Sequence, residues 1–254
     1  MDTETLIPFM ETLLDQSGAV IEPYFFNRDY SVEVKADESP VTQVDREAET
    51  CIRTLIRREF PHHGIVGEEF GTENEGAEYT WVIDPIDGTK AFITGVPLFT
   101  TLIGLLHRGE PVLGAIHQPL LKIRCIGDNR TCLLNGKPTR CRSIAKLEEA
   151  TMVSSGVLTA EQYQNGARFD ALIRRVNLYR TWADGYGYLL LASGKADIAV
   201  DPIVHPWDVF PVIPVVRGAG ARVSDWQGNT DRWESCVAAN PGLFDQVIDA
   251  LNGD

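Results

Sequence analysis

The amino-acid sequence predicts a layered fold of mixed helix and sheet, α+β in its first half and α/β in its second. Two stretches with the apolar spacing of amphipathic helices come first, within residues 2–26 and 42–59. Apolar, β-rich runs separated by turn signals follow between residues 100 and 134, and they predict a large antiparallel sheet. Beyond about residue 146, short strands alternate with helices, which implies layers of helix on sheet.

Composition limits the class of protein. The chain has 254 residues, enough for one large domain or two closely packed ones, and 44% of them are hydrophobic, as in an ordinary globular protein. The net charge of −13 argues against a nucleic-acid surface but permits an anionic substrate, because bound cations invert the local charge. The first residues contain no long apolar run, so we expect neither a signal peptide nor a membrane span. The five cysteines form no C-x-x-C pair, which predicts a reducing, cytoplasmic location without zinc or disulfides.

The first half, residues 1–145, is expected to hold two helices and the large sheet. In order we predict a helix over 2–26 interrupted at Gly18 and Pro23, a strand over 31–35, a loop over 36–40 near the mouth of a site and a helix over 42–59. A strand over 64–67, an exposed loop over 72–77, a strand over 79–83 and a helix over 90–94 follow. The sheet is then expected to continue with strands over 100–107, 111–117, 122–126 and 131–134 and a turn at Asn135-Gly136. Thr42 is a natural N-cap of the second helix, and Asp45 completes a capping box. Pro85 is expected to end the strand over 79–83, because proline has no N–H to donate.

The second half, residues 146–254, is expected to pack with the first as one compact unit, since no flexible linker separates them. We predict strands over 151–155, 178–181, 197–200, 221–224 and 237–239, and helices over 160–176, 186–193, 207–217 and from 241 onward. Pro211 and Pro214 are expected to disturb the third of these helices.

The stretch from Asp84 to Thr89 carries the strongest chemical signal. Asp84 and Asp87 stand three residues apart on the turn that follows a strand. Gly88 allows the backbone a tight path, and Thr89 can cap the helix that begins there. Carboxylates bind hard cations, and the N-terminus of a helix binds phosphate, so the pair predicts metal-assisted phosphate chemistry. The alternative is an Asx turn that only caps a helix.

Four further acids are candidates, and each has a structural alternative. Glu68 and Glu69 follow a strand, so they point to opposite sides and one can bind a metal while the other faces elsewhere. Asp45 is explained equally well by its capping box. Asp208 follows Trp207 at the start of a helix and could be its cap. Taken singly, none of these acids decides the function.

Together the motifs resemble one family. G-E-E at 67–69, W-x-I-D-P-I-D-G-T at 81–89 and W-D at 207–208 resemble the inositol monophosphatase family of metal-dependent, lithium-sensitive phosphatases. Thr42-x-x-Asp45 and Lys35 also match that pattern, and the resemblance covers essentially the whole chain in the right order. It implies a five-layer αβαβα sandwich of the inositol monophosphatase and fructose bisphosphatase type, usually dimeric, that binds two or three Mg²⁺ ions.

The resemblance implies a metal ligand set. One Mg²⁺ ion would lie between Glu68, Asp84 and the carbonyl of Ile86. A second would be held by Asp84, Asp87 and Asp208, so that Asp84 bridges the two ions, as two-metal sites require. A third, weaker ion would use Glu68 and waters.

The resemblance also implies the catalytic roles. Glu69, Thr89 and Asp45 would orient or deprotonate a metal-activated water, which attacks phosphorus in line. The backbone N–H groups of Gly88 and Thr89 would hold the phosphate oxygens at the helix start.

Within the family, two segments resemble the histidinol-phosphate phosphatase branch. They are D-G-T-K-x-F-I-T-G at 87–95 and the run from Arg180 to Tyr188, although that branch often has Gly where Ala183 stands. This resemblance implies that Asp184, Asp201 and Arg180 contact the substrate.

The chemistry of the substrate supports the same choice. Histidinol phosphate carries an ammonium and an imidazole. The carboxylates of Asp184 and Asp201 could pair with the ammonium and hold the imidazole N–H. A neutral inositol ring needs no second charge. The alternatives are that Asp184 caps a helix at Gly185 and that Asp201 belongs to a turn before Pro202.

The sequence therefore predicts a Mg²⁺-dependent phosphomonoesterase that converts L-histidinol phosphate and water to L-histidinol and phosphate, a step of histidine biosynthesis. An inositol-1-monophosphatase or a broad-specificity phosphomonoesterase on the same fold is the alternative. A non-catalytic metal-binding regulatory protein is an alternative of another class, against which the intact set of acids argues. The expected partners are a small phosphate ester and a second copy of the chain, with no nucleic acid and no membrane.

Overall fold

The computed structural model describes residues 3–34 and 40–253. Lys35 and residues 36–39 of the predicted loop lie outside the described residues. Among the described helices, none combines the length and the apolar character that a membrane crossing needs.

The chain begins with two long helices that flank a small hairpin. After a 3₁₀ turn at Thr3–Leu6 come α1 (Ile7–Asn27), β1 (Val32–Val34), β2 (Pro40–Thr42) and α2 (Gln43–Glu59). α1 continues through Gly18 and Pro23, so the predicted interruptions are wrong. α2 confirms the predicted helix and its capping box, because the Thr42 hydroxyl accepts the N–H of Val44 while the Asp45 carboxylate accepts the N–H of Thr42.

The larger sheet has eight strands in the described residues and confirms the predicted sheet of the first half. Its strands, with one short helix between the third and the fourth, are β3 (Gly64–Gly67), β4 (Gly71–Glu73), β5 (Tyr79–Asp87), α3 (Thr89–Ile93), β6 (Thr100–His107), β7 (Glu110–Gln118), β8 (Ile123–Gly127), β9 (Cys132–Leu134) and β10 (Lys137–Pro138). Their order across the sheet is β10-β9-β8-β7-β6-β5-β3-β4. The pairs are antiparallel except β3 with β5, which are parallel.

β5 differs from its prediction at Pro85. The strand does not end at Ile83 but continues to Asp87, with a bulge against β6 between Asp84 and Asp87. Proline is tolerated there because the bulged residues lie outside the regular ladder, which resumes where Asp87 pairs with Thr100. The bulge therefore turns the end of β5 into an irregular loop that remains part of the sheet.

The second half alternates strand and helix, as predicted. Its elements are β11 (Thr151–Ser154), α4 (Val157–Tyr163), α5 (Gly166–Ile173), β12 (Leu178–Arg180), α6 (Gly185–Ala192), β13 (Ile198–Asp201), α7 (Pro206–Val209), α8 (Val212–Gly218), β14 (Arg222–Ser224), β15 (Cys236–Ala239) and α9 (Pro241–Asn252). The five strands form one sheet in the order β12-β11-β13-β15-β14. β11 is parallel to both of its neighbours, and the other pairs are antiparallel.

Two predicted helices of the second half are each divided. The helix predicted over 160–176 is α4 and α5, separated where Asn165 accepts the N–H of Arg168 and caps a new helix. The helix predicted over 207–217 is α7 and α8, which separate at Pro211.

In the first half, the exposed loop predicted over 72–77 begins inside a strand, β4.

Buried side chains join these elements into five layers. α1 and α2 pack on one face of the large sheet through residues such as Leu13, Ile52 and Trp81. α6 and α8 fill the space between the two sheets with Leu189 and Ile213. α4, α5 and α9 cover the outer face of the smaller sheet. The αβαβα sandwich implied by the resemblance is therefore confirmed, with the end of β5 beside the central helical layer.

Candidate active site

Three carboxylates meet where β5 ends. Asp84 and Asp87 flank the bulge of this strand, and Asp208 lies in the first turn of α7. Ligand oxygens of the three residues all lie within 4.8 Å of one another. The structure thus brings together acids that are more than a hundred residues apart in sequence.

Burial raises the free-energy cost of ionising the carboxyl groups of this cluster. The pKa values of the Asp84 and Asp87 carboxyls are raised well above their ordinary range, first by burial and then by neighbouring carboxylates. For Asp208, burial and the charge of Glu68 raise the pKa to about 7. Buried carboxylates at this spacing can all be ionised only when cations neutralise them; without cations, some of them hold a proton.

The turn after β5 is fixed by its own hydrogen bonds. Asp84 Oδ1 accepts the N–H of Ile86 at 3.0 Å, and the Thr89 hydroxyl donates to the Ile86 carbonyl at 3.0 Å. Gly88, with φ at 84°, occupies the cap position of α3, and Thr89 is the first helical residue. The expectation that Thr89 caps this helix is therefore wrong, because its hydroxyl is directed back to the preceding turn.

Asp87 joins the two halves of the chain. Its Oδ2 accepts the N–H of Gly185, the first residue of α6, and the Thr100 hydroxyl at 3.1 Å. A Cβ atom at Gly185 would lie 2.4 Å from Thr100 Oγ1 and 2.6 Å from Asp87 Oδ2. Only glycine lets α6 begin this close to the carboxylate.

Glu68 and Glu69 lie on the turn that leaves β3, as the sequence predicts. The N–H of Glu68 donates to the Ile83 carbonyl at 3.1 Å, which extends the parallel pairing of β3 with β5. Glu68 lies close enough to raise the pKa values of Asp45, Asp84 and Asp208 by its charge. Its carboxylate therefore belongs to the same electrostatic cluster.

Asp45 uses one oxygen for the helix cap and leaves the other unpaired. Oδ2 accepts the Thr42 N–H at 2.7 Å and the Thr42 hydroxyl at 2.6 Å. Oδ1 is buried and has no hydrogen-bond partner within the described part of the chain. Burial raises the pKa of this carboxyl to about 6. The capping box therefore accounts for only half of the side chain.

Asp208 likewise completes a cap. Its Oδ2 accepts the N–H of His205 at 2.7 Å, so α7 begins with a capping box that orients the carboxylate. The structural alternative and the metal-ligand hypothesis for Asp208 are compatible, because a carboxylate has a second oxygen.

A cavity next to the cluster contains two of the three predicted substrate residues. Asp184 and Asp201 line it together with Asp87 and Asp208. Asp201 is 4% exposed, and its Oδ1 accepts the N–H of Ser155 at 3.1 Å. Burial and then the charge of Asp201 raise the pKa of Asp184 to about 7.

Asp184 has an unusual backbone. Its φ of 57° and ψ of −161° lie in a region that residues other than glycine rarely adopt. It occupies the N-cap position of α6, as the helix-cap alternative expects, but its side chain makes no capping hydrogen bond. The carboxylate reaches the turn after β5 instead, where Oδ2 would be 3.2 Å from a Cβ atom on Gly88.

Arg180 lies elsewhere. It ends β12 with an exposed side chain that donates to the Tyr179 carbonyl and lies over the ring of Trp182. It is absent from the lining of the cavity that Asp184 and Asp201 share.

Sequence reasoning missed several residues around the site. Tyr188 and Cys236 line the cavity, yet nothing in their local sequence separates them from ordinary core residues. Glu49 accepts the N–H of Glu69 at 2.8 Å, and for this residue a signal was available. It lies four positions after Asp45, on the same face of an amphipathic helix, where a charge is otherwise costly.

The donor set fits a hard divalent cation. Carboxylate and carbonyl oxygens are the protein ligands that Mg²⁺ prefers. The raised pKa values and the unpaired Oδ1 of Asp45 show a site with more negative charge and acceptor capacity than the described protein groups satisfy.

Comparison with known proteins identifies the family. The model of the inositol monophosphatase family matches residues 2–252. The chain belongs to the inositol monophosphatase family. A histidinol-phosphatase from Chlorobaculum parvum is 37% identical over 250 residues, which cover 95% of this chain and 95% of that protein. The chloroplastic bifunctional phosphatase IMPL2 of Arabidopsis thaliana is 41% identical over 239 residues, 92% of this chain and 68% of its own length.

A solved structure supports the same assignment. An inositol monophosphatase from Zymomonas mobilis matches with a TM-score of 0.86 and 33% identity, and 99% of each chain is covered. Members of the inositol monophosphatase family are metal-dependent phosphatases of small phosphate esters, so this chain is a phosphoric monoester hydrolase by family. The acids at the end of β5 are the group that could hold the metal.

The raised pKa values have a consequence for stability. Between about pH 4, where such acids titrate in an unfolded chain, and about pH 7, the folded protein holds more protons than the unfolded one. In the presence of a chelator, we therefore expect the thermal midpoint to fall by several degrees as the pH rises through this window. Saturating Mg²⁺ should remove most of that fall, because the cations replace the protons.

Asp84→Asn isolates the contribution of the cluster, since it removes one buried charge at constant size. In chelator, the variant should lose less stability than the wild type between about pH 5 and about pH 7. A wild type whose midpoint stays level or rises over this range, with the variant behaving identically, contradicts the electrostatic description.

Proposed function

We propose that the chain is a Mg²⁺-dependent phosphatase that hydrolyses L-histidinol phosphate to L-histidinol and phosphate. One observation carries this proposal. A single cavity is lined by Asp87 and Asp208 of the acid cluster and by Asp184 and Asp201. A phosphate ester with a cationic alcohol portion suits such a cavity, because cations would have to neutralise the first pair and the substrate could neutralise the second.

Two to three Mg²⁺ ions would be held by the acids at the end of β5. Glu68, Asp84 and the Ile86 carbonyl form one proposed ligand set, and Asp84, Asp87 and Asp208 form another. A third ion would use Glu68. When bound, the ions would neutralise the phosphate and lower the pKa of a water molecule.

The protein groups around the ions supply orientation and proton transfer. Asp45 Oδ1 is an acceptor without a partner among the described residues, and the pKa of this carboxyl, about 6, lies close enough to neutrality to exchange a proton with the attacking water. We assign the orientation of that water to Asp45, Glu69 and Thr89 together. In this structure the Thr89 hydroxyl donates to Ile86, so it can rotate to a water only when that carbonyl gains another partner.

The phosphate would lie at the start of α3. There the positive φ of Gly88 lets the backbone turn so that the N–H groups of Gly88 and Thr89 can face one point. The Asp184 carboxylate approaches the same turn, so the rest of the substrate would extend from the phosphate toward Asp184 and Asp201.

The choice of histidinol phosphate rests on charge. A buried, hydrogen-bonded carboxylate at Asp201 and a strained one at Asp184 suit an ammonium and an imidazole N–H. The relative from Chlorobaculum parvum is named a histidinol-phosphatase, which supports this choice. The similarity to the inositol monophosphatase from Zymomonas mobilis favours an inositol phosphate as the second candidate.

Three predictions have no support beyond the sequence. Arg180 lies outside the cavity, so its role in substrate binding stays a prediction. The homodimer and the cytoplasmic location also stay predictions.

A substrate panel tests the proposed function. In the presence of Mg²⁺, we expect phosphate release from histidinol phosphate to exceed that from inositol 1-phosphate and from adenosine 3′,5′-bisphosphate. In chelator we expect no release. Asp84→Asn should reduce turnover at least a hundredfold, because it weakens two ligand sets at once. Preference for an inositol phosphate would refute the substrate, and activity that survives chelation would refute the metal dependence.

Asp184→Asn tests the charge argument. Asparagine has the size and branching of aspartate and meets the same backbone strain, so the change removes mainly the negative charge. We expect kcat/KM for histidinol phosphate to fall about 10–100-fold, as for the loss of one charge-assisted hydrogen bond. Glycerol 2-phosphate, whose alcohol portion is neutral, is the control substrate and should lose less than about threefold. Equal losses on both substrates would show that Asp184 has no role in recognising charge.

A further inference from the structure

We propose that Glu49, in the middle of α2, is a positioning residue that holds the Glu68–Glu69 turn in the orientation that the metal site requires. This inference rests on the proposed function, because it assigns Glu49 to the support of ligands and water-orienting groups. Within the described residues Glu49 is bonded to the turn and to Arg53, so it would act on the metal ligands through the backbone that carries them.

The Glu49 carboxylate binds the turn through both oxygens. Oε2 accepts the N–H of Glu69 at 2.8 Å, and Oε1 accepts the N–H of Phe70 at 3.3 Å. On the other side, the N–H of Glu68 donates to the Ile83 carbonyl of β5. Three consecutive N–H groups are therefore fixed from two directions, which leaves the backbone that carries Glu68 and Glu69 little freedom.

Arg53 neutralises and orients this carboxylate. Its Nε donates to Glu49 Oε1 at 2.7 Å, and the two side chains are 3% and 0% exposed. The other guanidinium nitrogens donate to the Gly71 carbonyl and to Glu73. The buried Glu49–Arg53 ion pair therefore has several hydrogen-bond partners around the turn, as a buried charge requires.

The same pair explains the glycine of the G-E-E motif. A Cβ atom on Gly67 would lie 2.0 Å from Glu49 Oε1 and 2.8 Å from Arg53 Nη2. Gly67 has an ordinary strand conformation. Glycine is therefore needed here to leave room for the Glu49 and Arg53 side chains, and not to permit a positive φ. The motif thus contains a support contact as well as two acids.

The position of Glu49 on α2 links two parts of the site. Asp45, Glu49 and Arg53 follow one another at four-residue intervals, so they share one face of the helix, and all three are buried. Asp45 carries the oxygen that has no partner in the described part of the chain, and Glu49 holds the turn of Glu68 and Glu69. One rigid helix therefore sets the distance between the proposed proton acceptor and the proposed metal ligands. A buried ion pair contributes little net stability compared with apolar residues, so its effect here is orientation.

Glu49→Gln tests the inference. Glutamine has the same size but only one acceptor, and its amide nitrogen would face either an N–H of the turn or the Arg53 guanidinium. We expect the Kd for Mg²⁺, measured by calorimetry without substrate, to rise about 10–100-fold, as is typical when the support of a metal ligand is lost. The far-UV circular dichroism should match that of the wild type.

Asp197→Asn is the matched control. Asp197 is also fully buried, accepts Arg142 Nε at 2.9 Å and accepts the N–H of Thr151 at 2.7 Å, but it lies at the other end of β13 from Asp201. The control should lose thermal stability and keep wild-type Mg²⁺ affinity. The double variant Glu49→Gln/Arg53→Gln leaves no uncompensated buried charge and should show the same loss of Mg²⁺ affinity, so the test does not depend on the folding of the single variant.

The outcomes separate this inference from the proposed function. A wild-type chain that binds no Mg²⁺ overturns the proposed function, and the inference with it. Wild-type Mg²⁺ affinity in Glu49→Gln or in the double variant overturns the inference alone. An equal loss of affinity in Asp197→Asn also overturns it, because the effect would then follow from general destabilisation.

Discussion

The repulsion between buried carboxylates is the constraint on which the rest of this structure depends. Asp84, Asp87 and Asp208 lie within 4.8 Å of one another, and Glu68 adds its charge to theirs. Such a group opposes folding unless protons or cations neutralise it. The fold therefore supplies hydrogen bonds that fix each carboxylate: the N–H of Ile86 for Asp84, that of Gly185 for Asp87 and that of His205 for Asp208. Each of these hydrogen bonds goes to one of the two oxygens of its carboxylate.

These hydrogen bonds also explain why the site needs both halves of the chain. The end of β5 provides a bulged, rigid turn, but the start of α6 contacts Asp87, and the first turn of α7 brings in Asp208. Both helices belong to the layer between the two sheets, so the packing of the sheets on this layer sets the geometry of the acids. The strained backbone at Asp184 lies at the same junction, where a residue of the second half reaches the turn of the first.

The sequence is sufficient to predict those parts of the fold and of the site that depend on local residue patterns. The capping box of Thr42 and Asp45 follows from spacing, and the acids at the end of β5 follow from a dense motif. The path of β5 through Pro85 was not predictable, because proline usually ends a ladder and only the pairing with β6 creates the bulge. Helical spacing after Asp45 could have marked Glu49 as a buried charge, but its partner Glu69 is twenty residues away, and no local pattern identifies that contact. For Arg180 the motif predicts a substrate contact, while its exposed side chain lies over the ring of Trp182, so its role stays a prediction.

Proton release on metal binding is the most direct test of the central claim, that cations neutralise this acid cluster. Because the pKa of Asp208 is raised to about 7, the metal-free site should hold protons near neutrality that Mg²⁺ displaces. Calorimetric titration of Mg²⁺ in two buffers with different ionisation enthalpies counts these protons. We expect net release at about pH 6.5 that is smaller at about pH 8.5, where a larger fraction of Asp208 is already ionised in the metal-free site. Binding of Mg²⁺ without release of protons at about pH 6.5, or no binding at either pH, would contradict the account.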